Sequence, residues 1–211
     1  MFKTIKKDTT AEIVEKKSKF IANLFYVETV EEAEEKVKEI KKKYFDARHN
    51  CFAYSVYAKD RIVNRFSDDG EPSGTAGGPM LNLLNGNNIT NAVVIVTRYF
   101  GGILLGTGGL VRAYTDASKA AIDENEIVFK ENGLECMFEV SYSDIEKLKY
   151  YLKQNDILET GGEYLENAFI KCDIIEPKLK KLLQENEEMK LNFKIISHKI
   201  LREKYIIVEG K

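Results

Sequence analysis

Ten of the fourteen glycines in this chain of 211 residues fall between Gly70 and Gly109. Regular elements avoid that density, and loops that must turn sharply or approach other backbone closely require it. Within the window, Ala92 to Thr97 is a near-continuous apolar run of the kind found in a strand buried on both faces. The glycine stretch Gly101-Gly102, Gly106 and Gly108-Gly109 follows. Next comes a helical pattern in which Leu110, Ala113, Tyr114, Ala117, Ala121 and Ile122 share one face. Any fold must therefore deliver a buried strand through a tight loop into a helix. The apolar run is also far short of the roughly 18 residues of a membrane helix, so no membrane span is expected.

The flanking sequence completes an α+β pattern. Ala11 to Glu15 and Lys19 to Val27 read as strands. Thr29 and Glu32 form a capping box ahead of a helix whose apolar face is Val30, Ala33, Val37, Ile40 and Tyr44. Cys51 to Ala58 and Arg61 to Phe66 read as a hairpin turning at Lys59-Asp60, and Pro79 opens a short helix ended by Asn85-Gly86. From Leu134 the order is strand (135–141), helix (144–153), strands (157–165 and 168–175), helix (177–187) and strand (191–200). That βαββαβ order is the ferredoxin-like split sandwich. Asn132-Gly133 reads as a linker, which gives two domains, 1–131 and 134–211, with the boundary between Lys130 and Leu134.

Lys and Arg total 32 against 34 Asp and Glu, a net charge of −2, so a nucleic-acid partner would have to be held by a local patch. The amino terminus has no apolar stretch of the secretory kind, and the expected location is the cytoplasm. Cys51, Cys136 and Cys172 are distant in sequence and form no Cys-x-x-Cys pair; reduced structural thiols are expected.

Four features bear on chemistry. The glycine loop at a helix start presents backbone N–H groups and the positive end of the helix dipole. With Arg98 before it and Arg112 one turn into the helix, an anion or RNA-backbone site is expected over Arg98, Gly101, Gly102, Gly106, Gly108, Gly109 and Arg112, bordered by Arg48 and His49. The spacing matches neither the dinucleotide nor the P-loop pattern, and close packing is the alternative use of these glycines. Asp68, Asp69 and Glu71 form an acidic cluster. It fits a magnesium site, an ordinary turn, or an acceptor set facing the arginines. Arg48-His49-Asn50-Cys51 invites a nucleophile reading, but Cys51 opens a strand and reads as a buried thiol. Tyr99, Phe100 and Tyr114 interleave with the arginines as in single-strand nucleic-acid sites, although Phe100 and Tyr114 stand where a core is expected.

Taken together, the segments Arg48 to Tyr54, Asp68 to Gly77, Val96 to Gly106 and Gly109 to Tyr114 closely resemble the IMPACT family, bacterial YigZ type. The resemblance covers essentially the whole chain. It implies an amino-terminal domain similar to a ribosomal-protein and translocation-factor βαβ sandwich and a ferredoxin-like carboxy-terminal domain. It also implies translation regulation through RNA or a ribosome-associated protein; no cofactor and no specificity for DNA are expected. The family offers no catalytic residues to carry over. Arg48, His49, Asp68, Asp69, Glu71, Arg98 and Arg112 match its motif and are expected to form a binding surface. The alternative is a nucleotide- or phosphate-handling enzyme built on the glycine loop and the acidic cluster.

Overall fold

Val93 and Ile95 point to one side of the apolar run and Ala92, Val94 and Val96 to the other, and both sides are covered in the computed structural model, which describes residues 1–58 and 61–208. The chain divides into two compact units, Phe2–Phe129 and the remainder from Lys130. In the first unit β1 (Phe2–Ile5) is followed by β2 (Thr9–Glu15), β3 (Ser18–Tyr26), α1 (Val30–Lys43), β4 (His49–Ala58), β5 (Arg61–Ser67), α2 (Gly77–Gly86), β6 (Ala92–Tyr99) and α3 (Gly106–Asp123). The sheet order is β2-β3-β6-β4-β5, with β6 central and antiparallel to both neighbours.

Helix α1 packs Ala33, Val37 and Ile40 against Val93, Ile95, Tyr54 and Val56 on one face. Helices α2 and α3 cover the other with Met80, Leu84, Leu110, Tyr114 and Ala117. An all-apolar strand usually signals a parallel sheet, but here it marks an antiparallel strand sandwiched between helices. The capping box of α1 is shifted by one residue: Thr29 accepts from the Glu32 N–H at 3.1 Å, while the Glu32 carboxylate accepts from the Glu28 N–H at 2.7 Å. The sequence pattern missed β1, whose Ile5 is fully buried. The expected turn at Lys59-Asp60 lies outside the described residues.

The second unit contains β7 (Ile127–Val140, which begins in the first unit), α4 (Ile145–Gln154), β8 (Leu158–Tyr164), β9 (Ala168–Ile174), α5 (Glu176–Glu187) and β10 (Ile195–Val208). Its sheet order β10-β7-β9-β8 is that of the ferredoxin-like sandwich. Phe138, Leu148, Leu152, Ile170 and Leu182 fill its core.

Two expectations are corrected here. Asn132-Gly133 is part of β7 rather than a linker, because a Cβ on Gly133 would stand 2.6 Å from the Ile206 side chain; the glycine serves close approach of β10. The last strand runs to Val208, beyond the expected Ile200, since Arg202 and Lys204 pair with Glu135 and Asp173 and so keep a charged stretch inside the ladder. Cys136 and Cys172, distant in sequence, stand directly opposite each other on β7 and β9.

Candidate functional site

The three carboxylates of the acidic cluster go to three different places. Asp68 accepts from the backbone N–H groups of Gly74, Ala76 and Gly77 at 2.8, 3.0 and 2.9 Å, and so closes the loop onto the start of α2. It takes the capping role that Ala76 at the helix boundary lacks. Asp69, in left-handed backbone at φ +44°, pairs with Lys41 Nζ at 2.6 Å and accepts from the Asn50 N–H at 2.8 Å. Glu71 turns inward, where one oxygen accepts from Arg98 Nη1 at 2.7 Å and from the Tyr114 hydroxyl at 2.8 Å. Among the described residues, no three metal-ligating side chains converge. The magnesium reading of the cluster is therefore replaced by the acceptor role.

Arg98 is the main correction to the expected anion site. It occupies β6 opposite Phe20 on β3 and His49 on β4, and its side chain is only 8% exposed. Its guanidinium lies over the rings of Phe20 and Phe100, at 5.5 and 5.6 Å from their centroids. Its charge is answered by Glu71, so it cannot grip a surface phosphate while that pair holds. The Nε–H has no partner, which leaves a polar atom orphaned inside the cluster.

Behind this pair stand Tyr114, fully buried and edge-on to Phe20 at 5.2 Å, and Cys51, whose thiol donates to the Asp68 carbonyl at 2.9 Å. Burial pushes the Cys51 thiol up to about 12, with the carboxylates of Glu71, Asp69 and Asp68 acting in the same direction against the Tyr114 hydrogen bond. Burial raises the Tyr114 phenol as well, with Cys51 and Glu71 adding to it. A protonated, enclosed thiol is no nucleophile at neutral pH. His49 does not reach Cys51 chemically; its Nδ1 lies 2.9 Å from the Asp69 carbonyl, to which it donates.

The glycine loop serves both geometry and exposure. A Cβ on Gly101 would lie 2.0 Å from the Lys17 carbonyl carbon, and its N–H donates to Ser18 Oγ at 3.1 Å, so the loop is pressed onto the β2–β3 turn. Gly102 and Gly106 take φ of +85° and +72°, which only glycine adopts without cost. Gly106, Gly108 and Gly109 belong to the first turn of α3, where Leu105 at the cap position offers no acceptor. Arg112 is exposed on α3 and Arg48 is exposed ahead of β4; among the described residues neither pairs with a carboxylate.

What the sequence reading missed is apolar exposure at this end of the sheet. Phe100, expected in the core, is 54% exposed because it follows the last residue of β6 and caps the Arg98 guanidinium. Ile103 and Leu104 are 43% and 83% exposed. Lys16 and Lys17 lie on the turn that Gly101 touches. The only signal in the sequence was the run Ile103-Leu104-Leu105 between Gly102 and Gly106: Leu105 reaches the core at the start of α3, while the two residues before it are too far from the strand and too early for the helix to be buried by either.

The Impact N-terminal domain matches residues 16–122, the stretch that holds every residue of this cluster. The IMPACT family member YvyE of Bacillus subtilis (strain 168) is 39% identical over 165 residues, covering 78% of this chain and 76% of that one. The IMPACT family member YigZ of Escherichia coli (strain K12) is 37% identical over 166 residues, covering 78% and 80%. A crystal structure of a hypothetical protein, 32% identical, superposes with a TM-score of 0.62 over 93% of this chain and 97% of that one. The motif segments, the fold of both units and these likenesses agree: the chain belongs to the IMPACT family.

Proposed function

We propose that this protein acts by binding rather than by catalysis, and that it modulates translation by holding RNA or a ribosome-associated partner at the glycine-loop end of the first unit. The observation that carries the reading is a division of labour among the motif residues. Asp68, Asp69, Glu71, Arg98, Tyr114 and Cys51 are spent on one another, on Lys41 and on backbone groups, so none of these six stands as a free nucleophile, and among the described residues no ligand set converges. Phe100, Ile103 and Leu104 are instead exposed on the loop between β6 and α3, and the elements flanking that loop carry Lys16, Lys17, Arg48 and Arg112, exposed cations that make no ion pair among the described residues. Exposed aromatic and aliphatic side chains rimmed by cations suit a partner with both flat apolar faces and negative charge, as RNA and ribosomal surfaces have. The buried cluster supports this surface from beneath: Glu71 fixes Arg98, and Arg98 carries the Phe100 ring. The backbone N–H groups at the start of α3 add a favourable field for an anion. Cytoplasmic residence is part of the same proposal; among the described residues no helix is long and apolar enough to cross a membrane.

The test is titration of single-stranded RNA and of purified ribosomes, at several salt concentrations, with the full chain and with Arg48→Ala, Arg112→Ala and Leu104→Glu. Loss of one cation that touches a phosphate lowers the salt slope by about one. Leu104→Glu weakens binding without that signature if the apolar tip is in contact. Wild-type affinity for neither probe, or variants that bind as the wild type does, overturns the reading. Saturable binding of a nucleotide that needs a divalent ion returns the enzyme alternative.

A further inference from the structure

The edge strand β5 has no proline, and its register with β4 runs unbroken from Phe52 opposite Ser67 to Ala58 opposite Arg61. Exposed edges are usually blunted by bulges, proline or charged side chains, because their free N–H and C=O groups recruit further strands; of these devices β5 has only Arg61 and Arg65, and the Arg65 charge is already held by Glu34 of α1. Side chains alternate cleanly along β5. Val63 packs toward the α1 core and Arg65 pairs with Glu34 of α1 at 2.6 Å. Ile62, Asn64 and Phe66 lie on the α2 face, where the Phe66 ring is 3.9 Å from the place a Cβ on Gly78 would take. Ile62 and Phe66 are left 52% and 49% exposed.

We infer that β5 is a homodimerisation edge, and that its occupant is β5 of a second copy of this chain, antiparallel and two-fold symmetric about Asn64. Charge and the extent of pairing together select that register, since centring on Ile62 or Phe66 pairs only part of the strand. Centring the pairing on Val63 sets Arg61 against Arg65 of the second copy, and centring it on Arg65 sets that residue against itself. Both place like charges directly opposite, which destabilises a strand pair. Centring on Asn64 pairs all of Arg61–Ser67. Each half-exposed Ile62 then meets Phe66 of the second copy. Each Arg65 stem lies opposite Val63 while its charge stays with Glu34 of its own chain. Arg61 meets Ser67. The contact is isologous and closes, joining two five-stranded sheets into one. The inference is independent of the binding reading above, since it uses none of those residues.

The experiment is sedimentation equilibrium of the full chain over a wide concentration range. The mass is expected to rise from 24.1 kDa toward twice that value. Ile62→Lys and Phe66→Lys each weaken association at least about tenfold, since every substitution is felt twice in a two-fold contact. Asn64→Lys sets two cations against each other at the axis and gives a monomer, and circular dichroism checks that each variant is folded. A wild-type chain that keeps the monomer mass at the highest concentration, including one that pairs only with a foreign extended segment, overturns the inference. So does a dimer that all three folded variants leave intact.

Discussion

Glu71 and Arg98 make a quantitative test of the buried cluster. Their side chains are 4% and 8% exposed, they meet at 2.7 Å, and the same Glu71 oxygen takes the Tyr114 hydroxyl at 2.8 Å. Glu71→Gln keeps the shape and removes the charge, which leaves a guanidinium buried without a counter-ion and with its Nε–H already unpartnered. Breaking one side of a buried pair costs about 3–5 kcal/mol. At about 3 °C per kcal/mol for a domain of this size, the thermal midpoint falls by about 9–15 °C. Arg98→Met leaves the carboxylate with Tyr114 alone and costs a similar amount, with loss of the contacts to Phe20 and Phe100 added. In the double variant neither charge is stranded, and Tyr114 still has an amide oxygen to donate to. It should recover about 2–3 kcal/mol relative to the sum of the singles. Urea unfolding of the four proteins, followed by circular dichroism, supplies the cycle. Additive losses, or a Glu71→Gln cost under about 1 kcal/mol, would refute the account of an enclosed pair whose charges sustain each other.

Gly101→Ala places a methyl against the Lys17 carbonyl, so it should cost at least about 1–3 kcal/mol by urea unfolding. It should also raise proteolysis in the 100–105 loop ahead of global unfolding. Asp68→Ala orphans three backbone N–H groups and is expected to cost about 2–3 kcal/mol, with amide exchange accelerated at Gly74, Ala76 and Gly77. Burial holds Cys51 at about 12 and Cys136 at about 11, against an ordinary 9.0. The stability from these neutral thiols is therefore complete below pH 9. It falls as pH rises from there toward 11 and 12, by about 1.4 kcal/mol per unit per thiol, because the unfolded chain releases protons that the folded one keeps. Urea midpoints between pH 8 and pH 10.5 check the sign, and a flatter profile in Cys51→Ala checks the assignment. At neutral pH, iodoacetamide should label the thiols only at the rate of unfolding.

The elements were legible where one residue pattern had one structural use. The apolar stripe Ala33, Val37, Ile40 yields α1, and the βαββαβ order yields the second unit, because each apolar face has a single place to be buried. Legibility failed where a residue answered to a partner far along the chain. Gly133 resembles a linker until Ile206 is set against it, and Arg202 and Lys204 resemble a strand end until Glu135 and Asp173 are placed beneath them. The site shows the same limit more sharply. Arg98 and Arg112 flank one loop and look equivalent in sequence, yet one is inside the sheet and the other in solvent. The difference is made by Glu71, which is 27 residues upstream of Arg98, and by Tyr114. The capture of Arg98 by Glu71 also explains the exposure of Phe100. The guanidinium occupies the interior position beside Phe20, and the next bulky ring is left to stack over it from outside. A motif whose charges neutralise each other in the core thus leaves an apolar tip and the cations it did not use in solvent, and the proposed binding rests on these.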